Sequence, residues 1–422
     1  MSAAPSVGSV AAPAVDGCPP VSAPPQAALP ARLLYATSAG FGGTGLHLTS
    51  YQSALAAEEA GILTLGVGYA NQQSQIPRQR LRSLAAHPVR LLSALPSPAY
   101  YGAKKRYVDW IASRELARGS YDAYHGWSGD SLRSLLVARQ KGLPTLLEVA
   151  TWHRNKGMTK PFETRSEREL RARAGWRAWM DRLPPSRQRV LLEYELATLI
   201  LMPSQFSAQT FLAAGIPAHR LAYVGRGADL ERFTPAPTPP PIFRAVFAGA
   251  LIKRKGVHHL LQAWHSLSLK NAELVLVGAL HPEIIPALAQ WKTDSVRVLG
   301  FSADLPAIFR EASVFVFPSE CEGWAKVTVE AAAAGLPIIG TRESGDAVID
   351  GVTGSVVPPN DPAALAERLR HCYDHADELP AMGRAARQRV EENFTWAHFR
   401  RRVRQAYARA QAQARSGAHF SL

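Results

Sequence analysis

Residues 318–341 read PSECEGWAKVTVEAAAAGLPIIGT. Leading into them, SVFVFPS, from Ser313, holds the unbroken β-branched and aromatic run VFVF, which predicts a strand buried on both faces. KVTVEAAAAG follows with strong helix formers up to a glycine stop, and LPIIGT reads as the next buried strand. Strand, helix and strand in so short a span make the repeating unit of a parallel sheet covered by helices. In such open sheets ligands sit beyond the carboxyl ends of the strands.

At that edge the sequence places Glu322 and Gly323 in the loop and Glu330 in the following helix. Both carboxylates can face one cleft. An ionised carboxylate accepts hydrogen bonds from hydroxyls, which is what sugar recognition requires. Gly323 leaves room for a ligand to approach the backbone, and amides at the helix start can hold anionic oxygens. Taken alone, the pair fits equally well a helix cap at Glu322 and a solvated Glu330.

The same alternation extends in both directions. FRAVFAGA, AELVLVGA, VRVLGF and GSVVPP are strand-like, with helical runs between them. Upstream, RLLYAT from Arg32, ILTLGV from Ile62, YDAYH from Tyr121, PTLLEV from Pro144 and LATLILM ending at Met202 read as strands. Between the two sets lies TPAPTPPP, residues 234–241. Proline at that density makes neither helix nor central strand and reads as a stiff linker. The expected organisation is an Ala/Pro-rich tail over 1–30, an α/β domain over 31–235 and a second over 243–395. A helix and tail over 396–422 are expected to cross back towards the first domain.

Composition narrows the function. The chain has 422 residues, 47% hydrophobic, enough for two cores. Three widely spaced cysteines, Cys18, Cys321 and Cys372, make no disulfide framework or metal cluster, and a reducing cytoplasm fits them. No apolar run reaches membrane-spanning length. The first thirty residues lack Lys and Arg and a compact apolar block, so a disordered tail is expected rather than a signal peptide. The net charge of +14 suits an anionic partner: a phosphorylated substrate, an anionic membrane or nucleic acid. Arginines from Arg165 to Arg189 surround Trp176 and Trp179. They read as a solvated helix face or as a surface that meets acidic lipid, at the inner membrane face, or a polyanionic acceptor, with Glu163, Glu167, Glu169 and Asp181 partly cancelling the charge.

Three further loops join the site. FAGALIKRKGVHHLLQAW, from Phe247, is a strand, a loop with Lys253, Arg254 and Lys255, and a helix opening at Gly256. Cations beside a helix N-terminus suit a diphosphate. GFGGTG, residues 40–45, follows the first strand and fits the dinucleotide spacing G-x-G-x-x-G. A nicotinamide site wants an acid after the second strand, and that strand ends VGYANQQ, so an oxidoreductase is disfavoured. His125 and His153 follow strands and are candidates for the cleft.

Read together, these motifs resemble the retaining glycosyltransferases that share the GT-B fold, often called family 4. EGWAKVTVE matches the family's two glutamates with seven residues between them, and GALIKRKG its Gly-x-Leu-x-x-x-Lys-Gly loop. ESGDAVIDGVTGSVVPPNDP matches its late turn, and YELATLILMPSQFSAQTFLAAGIPAHRLAYVGRGADLERFTP the end of its first domain. The resemblance covers most of residues 31–405. It implies two doubly wound Rossmann-like domains facing a cleft. It also implies transfer of a sugar from a nucleotide-sugar donor to a hydroxyl acceptor in glycan, glycolipid or polysaccharide synthesis.

By the same resemblance Glu330 binds the donor ribose and Glu322 the transferred sugar. The backbone of Gly323, Trp324, Ala325 and Lys326 lies along the sugar and diphosphate. Lys255, helped by Arg254, neutralises the leaving diphosphate, Gly42 and Gly43 let their loop approach the donor, and His125 faces the cleft. No metal or other cofactor is expected, and nucleic acid is not an expected partner. The chain departs from the family at Ala250, where arginine is usual, and at Ala325 and Lys326, where glycine and an aliphatic residue are usual. An epimerase-type enzyme of the same fold and a donor-binding protein with weakened catalysis are the alternative readings.

Overall fold

The computed structural model describes residues 28–84, 97–154, 187–302 and 304–416. Nearly all of the expected tail, and the basic stretch as far as Arg182, lie outside the described residues.

Two parallel sheets carry the chain. The first is seven-stranded, in the order β3-β2-β1-β4-β5-β6-β7: β1 Leu33–Ala36, β2 Leu63–Gly68, β3 Leu81–Ser83, β4 Ala123–Trp127, β5 Thr145–Glu148, β6 Leu199–Met202 and β7 Leu221–Tyr223. The second is six-stranded, in the order β10-β9-β8-β11-β12-β13: β8 Phe243–Ala248, β9 Ala272–Val277, β10 Val296–Gly300, β11 Val314–Phe317, β12 Ile338–Gly340 and β13 Gly354–Val356. The central strands are mostly apolar because helices cover both faces; all four residues of β6, LILM, and of β11, VFVF, are buried. β3 is the exception. It is an edge strand with Arg82 and Ser83 exposed, so no apolar run marks it in the sequence.

The helices of the first domain are α1 Leu46–Glu59, α2 Ser97–Arg118, α3 Leu132–Gln140, α4 Arg187–Leu196 and α5 Gln205–Leu212. The second domain has α6 Val257–Leu267, α7 Ile285–Trp291, α8 Leu305–Arg310, α9 Lys326–Ala333, α10 Pro362–Asp374 and α11 Leu379–Asn393, and α12 spans Trp396–Arg415. In each sheet the strand order reverses beside the first strand, between β1 and β4 and between β8 and β11. A reversal of that kind opens a crevice at the carboxyl ends.

Strand alternation divides the core of the first domain. Leu34 and Ala36 of β1 face one apolar cluster and Leu33 and Tyr35 the other. Phe399, Val403, Ala406 and Tyr407 of α12 fill the second cluster, so the helix that follows the second domain completes the core of the first. Arg400 and Arg404 pair with Glu59 of α1 at 2.9 and 2.6 Å. The proline segment runs between β7 and β8, where Arg387 of α11 donates to the carbonyls of Phe233 and Ala333, each at 2.6 Å. Among the described residues no helix is long and apolar enough to cross a membrane.

Candidate active site

The carboxyl edges of the two sheets face each other across a cavity of about 670 Å³. Gly45, Leu46, Thr49, Ala150 and Arg226 line it from the first domain. Gly249, Ala250, Lys255, Phe301, Glu322, Trp324, Ala325, Lys326 and Glu330 are among those lining it from the second. The segments that bring them there are strand ends: β8 delivers Gly249, β11 delivers Glu322, and α9 carries Lys326 and Glu330.

Lys253–Lys255 form a single 3-10 turn, and Gly256 (φ 73°) reverses the chain into α6. This turn separates the three cations. The Lys255 side chain is 19% exposed and lines the cleft. Its Nζ lies 5.4 Å from the Phe317 ring centroid and 4.0 Å from Glu322 Oε1. Burial lowers its pKa, and Glu322 pulls it back up. A Cβ at Gly249 would stand 2.8 Å from Lys255 Nζ, so glycine here makes room for the ammonium. Arg254 is more exposed, at 43%, and is not among the cleft-lining residues. It pairs with Glu322 Oε1 at 2.9 Å and donates to the Cys321 carbonyl, so it braces the Glu322 loop from behind.

Glu330 is nearly buried and pairs with Lys326 Nζ at 2.5 Å, one turn earlier on α9. Both carboxylates expected in the site therefore line the cleft, each against a cation. Ala325 stands at the N-cap of α9 with a backbone, not a side-chain, partner: its amide donates to the Ser344 carbonyl at 2.9 Å. Trp324 packs edge-on against Phe394, with centroids 5.1 Å apart.

Four placements differ from the sequence reading. At Gly323 a Cβ would fall on the Ala150 carbonyl oxygen and stand 2.5 Å from Thr151 Cα. Glycine there is required by the first domain's β5 loop pressing on it. Gly42 (φ 95°) and Gly43 (φ 83°) lie against Gln72; Gly45, Leu46 and Thr49 of the same loop and helix reach the cleft instead. His125 does not face the cleft. It is fully buried, its Nδ1 2.9 Å from the Tyr407 hydroxyl and its ring edge-on to Tyr35. Burial drives its pKa down to about 3, so it stays neutral. His153 is likewise buried, between Tyr194 and Phe211.

The sequence reading missed Arg226, which follows β7 and lines the cleft although only 4% exposed. Its Nη1 lies 3.2 Å from Glu148 Oε1, and its Nη2 donates to the Val149 carbonyl at 3.1 Å. Glu148 also accepts from Ser53 Oγ at 2.7 Å. Burial pushes the Glu148 carboxyl up to about 7, against the pull of Arg226. The only signal was a charged residue between two glycines at a strand end.

Residues 243–375 match the family model described as glycosyl transferases group 1. The chain is 29% identical over 214 residues to the colanic acid biosynthesis glycosyltransferase WcaL of Escherichia coli, covering 46% of this chain and 53% of that protein. It spans about half the length of the polysaccharide-synthesis relatives of this kind that it matches. Among solved structures, sucrose-phosphate synthase from Thermosynechococcus elongatus superposes with a TM-score of 0.66 at 19% identity, covering 89% of this chain and 98% of that one. Anabaena HepE, solved in complex with UDP-glucose, gives a TM-score of 0.61 at 19% identity, covering 88% and 98%.

Proposed function

Taking residues 243–375 as a glycosyl transferases group 1 domain within a chain of GT-B fold, we propose that the protein moves a sugar from a nucleotide-sugar donor to a hydroxyl of a glycan acceptor, with retention at the anomeric carbon. The observation that carries this reading is the convergence of Lys255, Glu322 and Glu330 on one cleft between two carboxyl edges. The complex of HepE with UDP-glucose supports the donor class. The colanic acid and capsular relatives support a glycan acceptor.

In this reading each group has one task. Glu330 accepts hydrogen bonds from the ribose hydroxyls, with Lys326 holding the carboxylate in place. Glu322 accepts from hydroxyls of the transferred sugar, oriented by Arg254 behind it. Lys255 faces the diphosphate and opposes the charge that grows on it as the glycosidic bond breaks, a preorganised electrostatic effect. The half-buried site strengthens that effect by excluding water. Arg226 and Leu46 stand on the acceptor side. His125 is withdrawn from the chemistry, and the departing phosphate oxygen takes the acceptor proton. The diphosphate is neutralised by Lys255 and the amides at the start of α9, with no metal called on.

The test is a proton NMR time course with a panel of nucleotide sugars and hydroxyl acceptors. The reading expects a glycoside whose anomeric configuration equals that of the donor. An inverted product would overturn retention. Release of nucleotide and free sugar with every acceptor, or no turnover of any donor, would overturn transfer.

A further inference from the structure

We propose that His258, His259 and Glu320 form a binding site for one divalent metal ion of the zinc class, beside the cleft and separate from the diphosphate position. The two histidines open α6 directly after the Lys253–Lys255 turn. Glu320 stands in the loop after β11, two residues before Glu322. One ligand atom from each of the three lies within 4.8 Å of the others. The imidazole centroids are 3.8 Å apart.

The state of the ring nitrogens supports this assignment. His258 Nδ1 and His259 Nδ1 are both buried from solvent and have no hydrogen-bond partner. A buried polar atom left bare is costly and calls for an explanation. At His259 the other nitrogen, Nε2, lies 3.2 Å from Asn360 Oδ1. With the amide oxygen accepting from an Nε2–H, the lone pair falls on Nδ1. An oxygen acceptor that fixes the tautomer of a ligating histidine is a recurrent part of metal sites. Two imidazoles and a carboxylate favour zinc, copper or nickel over magnesium and calcium, which take all-oxygen shells. Three protein ligands leave a further position for water.

The site would join segments that already touch. The Glu320 amide donates to the Arg254 carbonyl at 2.9 Å, and Ser319 Oγ donates to the same oxygen at 3.2 Å. A bound ion would tie the start of α6 to the loop that presents Glu322, and Asn360 extends the clamp to the segment before α10. None of this depends on the identity of donor or acceptor.

The test uses the full chain without added histidines, stripped by chelator and titrated calorimetrically with zinc chloride and, separately, magnesium chloride. The expected result is one zinc ion per chain, a raised Tm, and no binding of magnesium. The double variant His258→Ala/His259→Ala should lose zinc binding while keeping the metal-free wild-type Tm. Asn360→Ala should weaken binding roughly 10–100-fold by freeing the His259 ring. The pair His371 and His375 on α10, with centroids 4.3 Å apart, belongs to no such trio among the described residues, and its double alanine variant should bind zinc normally. No zinc binding, binding unaffected by the His258/His259 change, or binding lost with His371 and His375 would each overturn the proposal.

Discussion

Asp346 of the second domain caps a helix of the first: both of its carboxylate oxygens accept from the Gln205 amide, at 3.2 and 3.0 Å, where α5 begins. A carboxylate at a helix N-terminus meets an unpaired amide and the positive end of the helix dipole. The same residue's carbonyl accepts from Arg389 Nη2 of α11 at 2.8 Å. One residue therefore pins α5 and α11 together across the domain boundary.

The Asp346 carboxyl is half-buried between the domains, and its desolvation raises its pKa from 3.8 to about 6, against the Gln205 amide, the Tyr223 hydroxyl, Arg389 and Arg402. A carboxyl whose folded pKa is raised binds its proton more tightly folded than unfolded. Its contribution to stability therefore falls as pH rises from about 4 to about 6 and is level above that. Asp346→Asn keeps an acceptor oxygen but cannot titrate. The stability difference between wild type and this variant should shift in favour of the variant as pH climbs through that window. Urea unfolding at a series of pH values checks this, and a difference that is flat in pH contradicts it.

Gly323→Ala should force the second domain's loop away from Ala150 and Thr151. Overpacking of this kind costs about 1–3 kcal/mol. The expected outcome is a lower Tm with a raised donor KM, because Glu322 moves with the loop. Wild-type Tm and KM together would show that the two domains do not press on each other there.

His125→Ala should lower stability by on the order of 2 kcal/mol or more through the cavity left beside Tyr35 and Tyr407. Turnover per folded molecule should hold. A fall in kcat by several orders of magnitude in a variant that remains folded would return His125 to the chemistry.

Lys255→Ala should reduce kcat by roughly 10²–10³-fold, the usual scale for losing one preorganised charge on a leaving group. Arg254→Ala should act more weakly, since its guanidinium faces Glu322 and the Cys321 carbonyl rather than the cleft. The reverse order of effects would mean that Arg254 swings in to hold the diphosphate.

Much of this architecture was legible because it is local. β11 and, from Ala245 on, β8 are buried on both faces, so each reads as an apolar run, and Lys255, Glu322 and Glu330 follow strand ends at short spacing. What could not be read depends on distant partners. His125 sits on a strand whose alternation offers two faces, and the helix that claims it, through Tyr407, lies 282 residues away. Arg226 reaches the cleft because Glu148, 78 residues earlier, holds it there. Gly323 was read as making room for a ligand, and its neighbour proved to be the backbone of the other domain.

The central claim is that Glu330 receives the ribose of a nucleotide-sugar donor in this cleft. The most direct measurement is a calorimetric titration of wild type and Glu330→Ala with UDP, GDP and ADP and their glucose or mannose conjugates. Losing a hydrogen bond to a charged group costs about 1.5–3 kcal/mol, or roughly 10–150-fold in affinity. The account predicts that wild type binds one nucleotide at one site per chain and that a folded Glu330→Ala variant binds it weaker by that factor. Equal affinity in the two proteins, or no binding of any nucleotide to wild type, would contradict it.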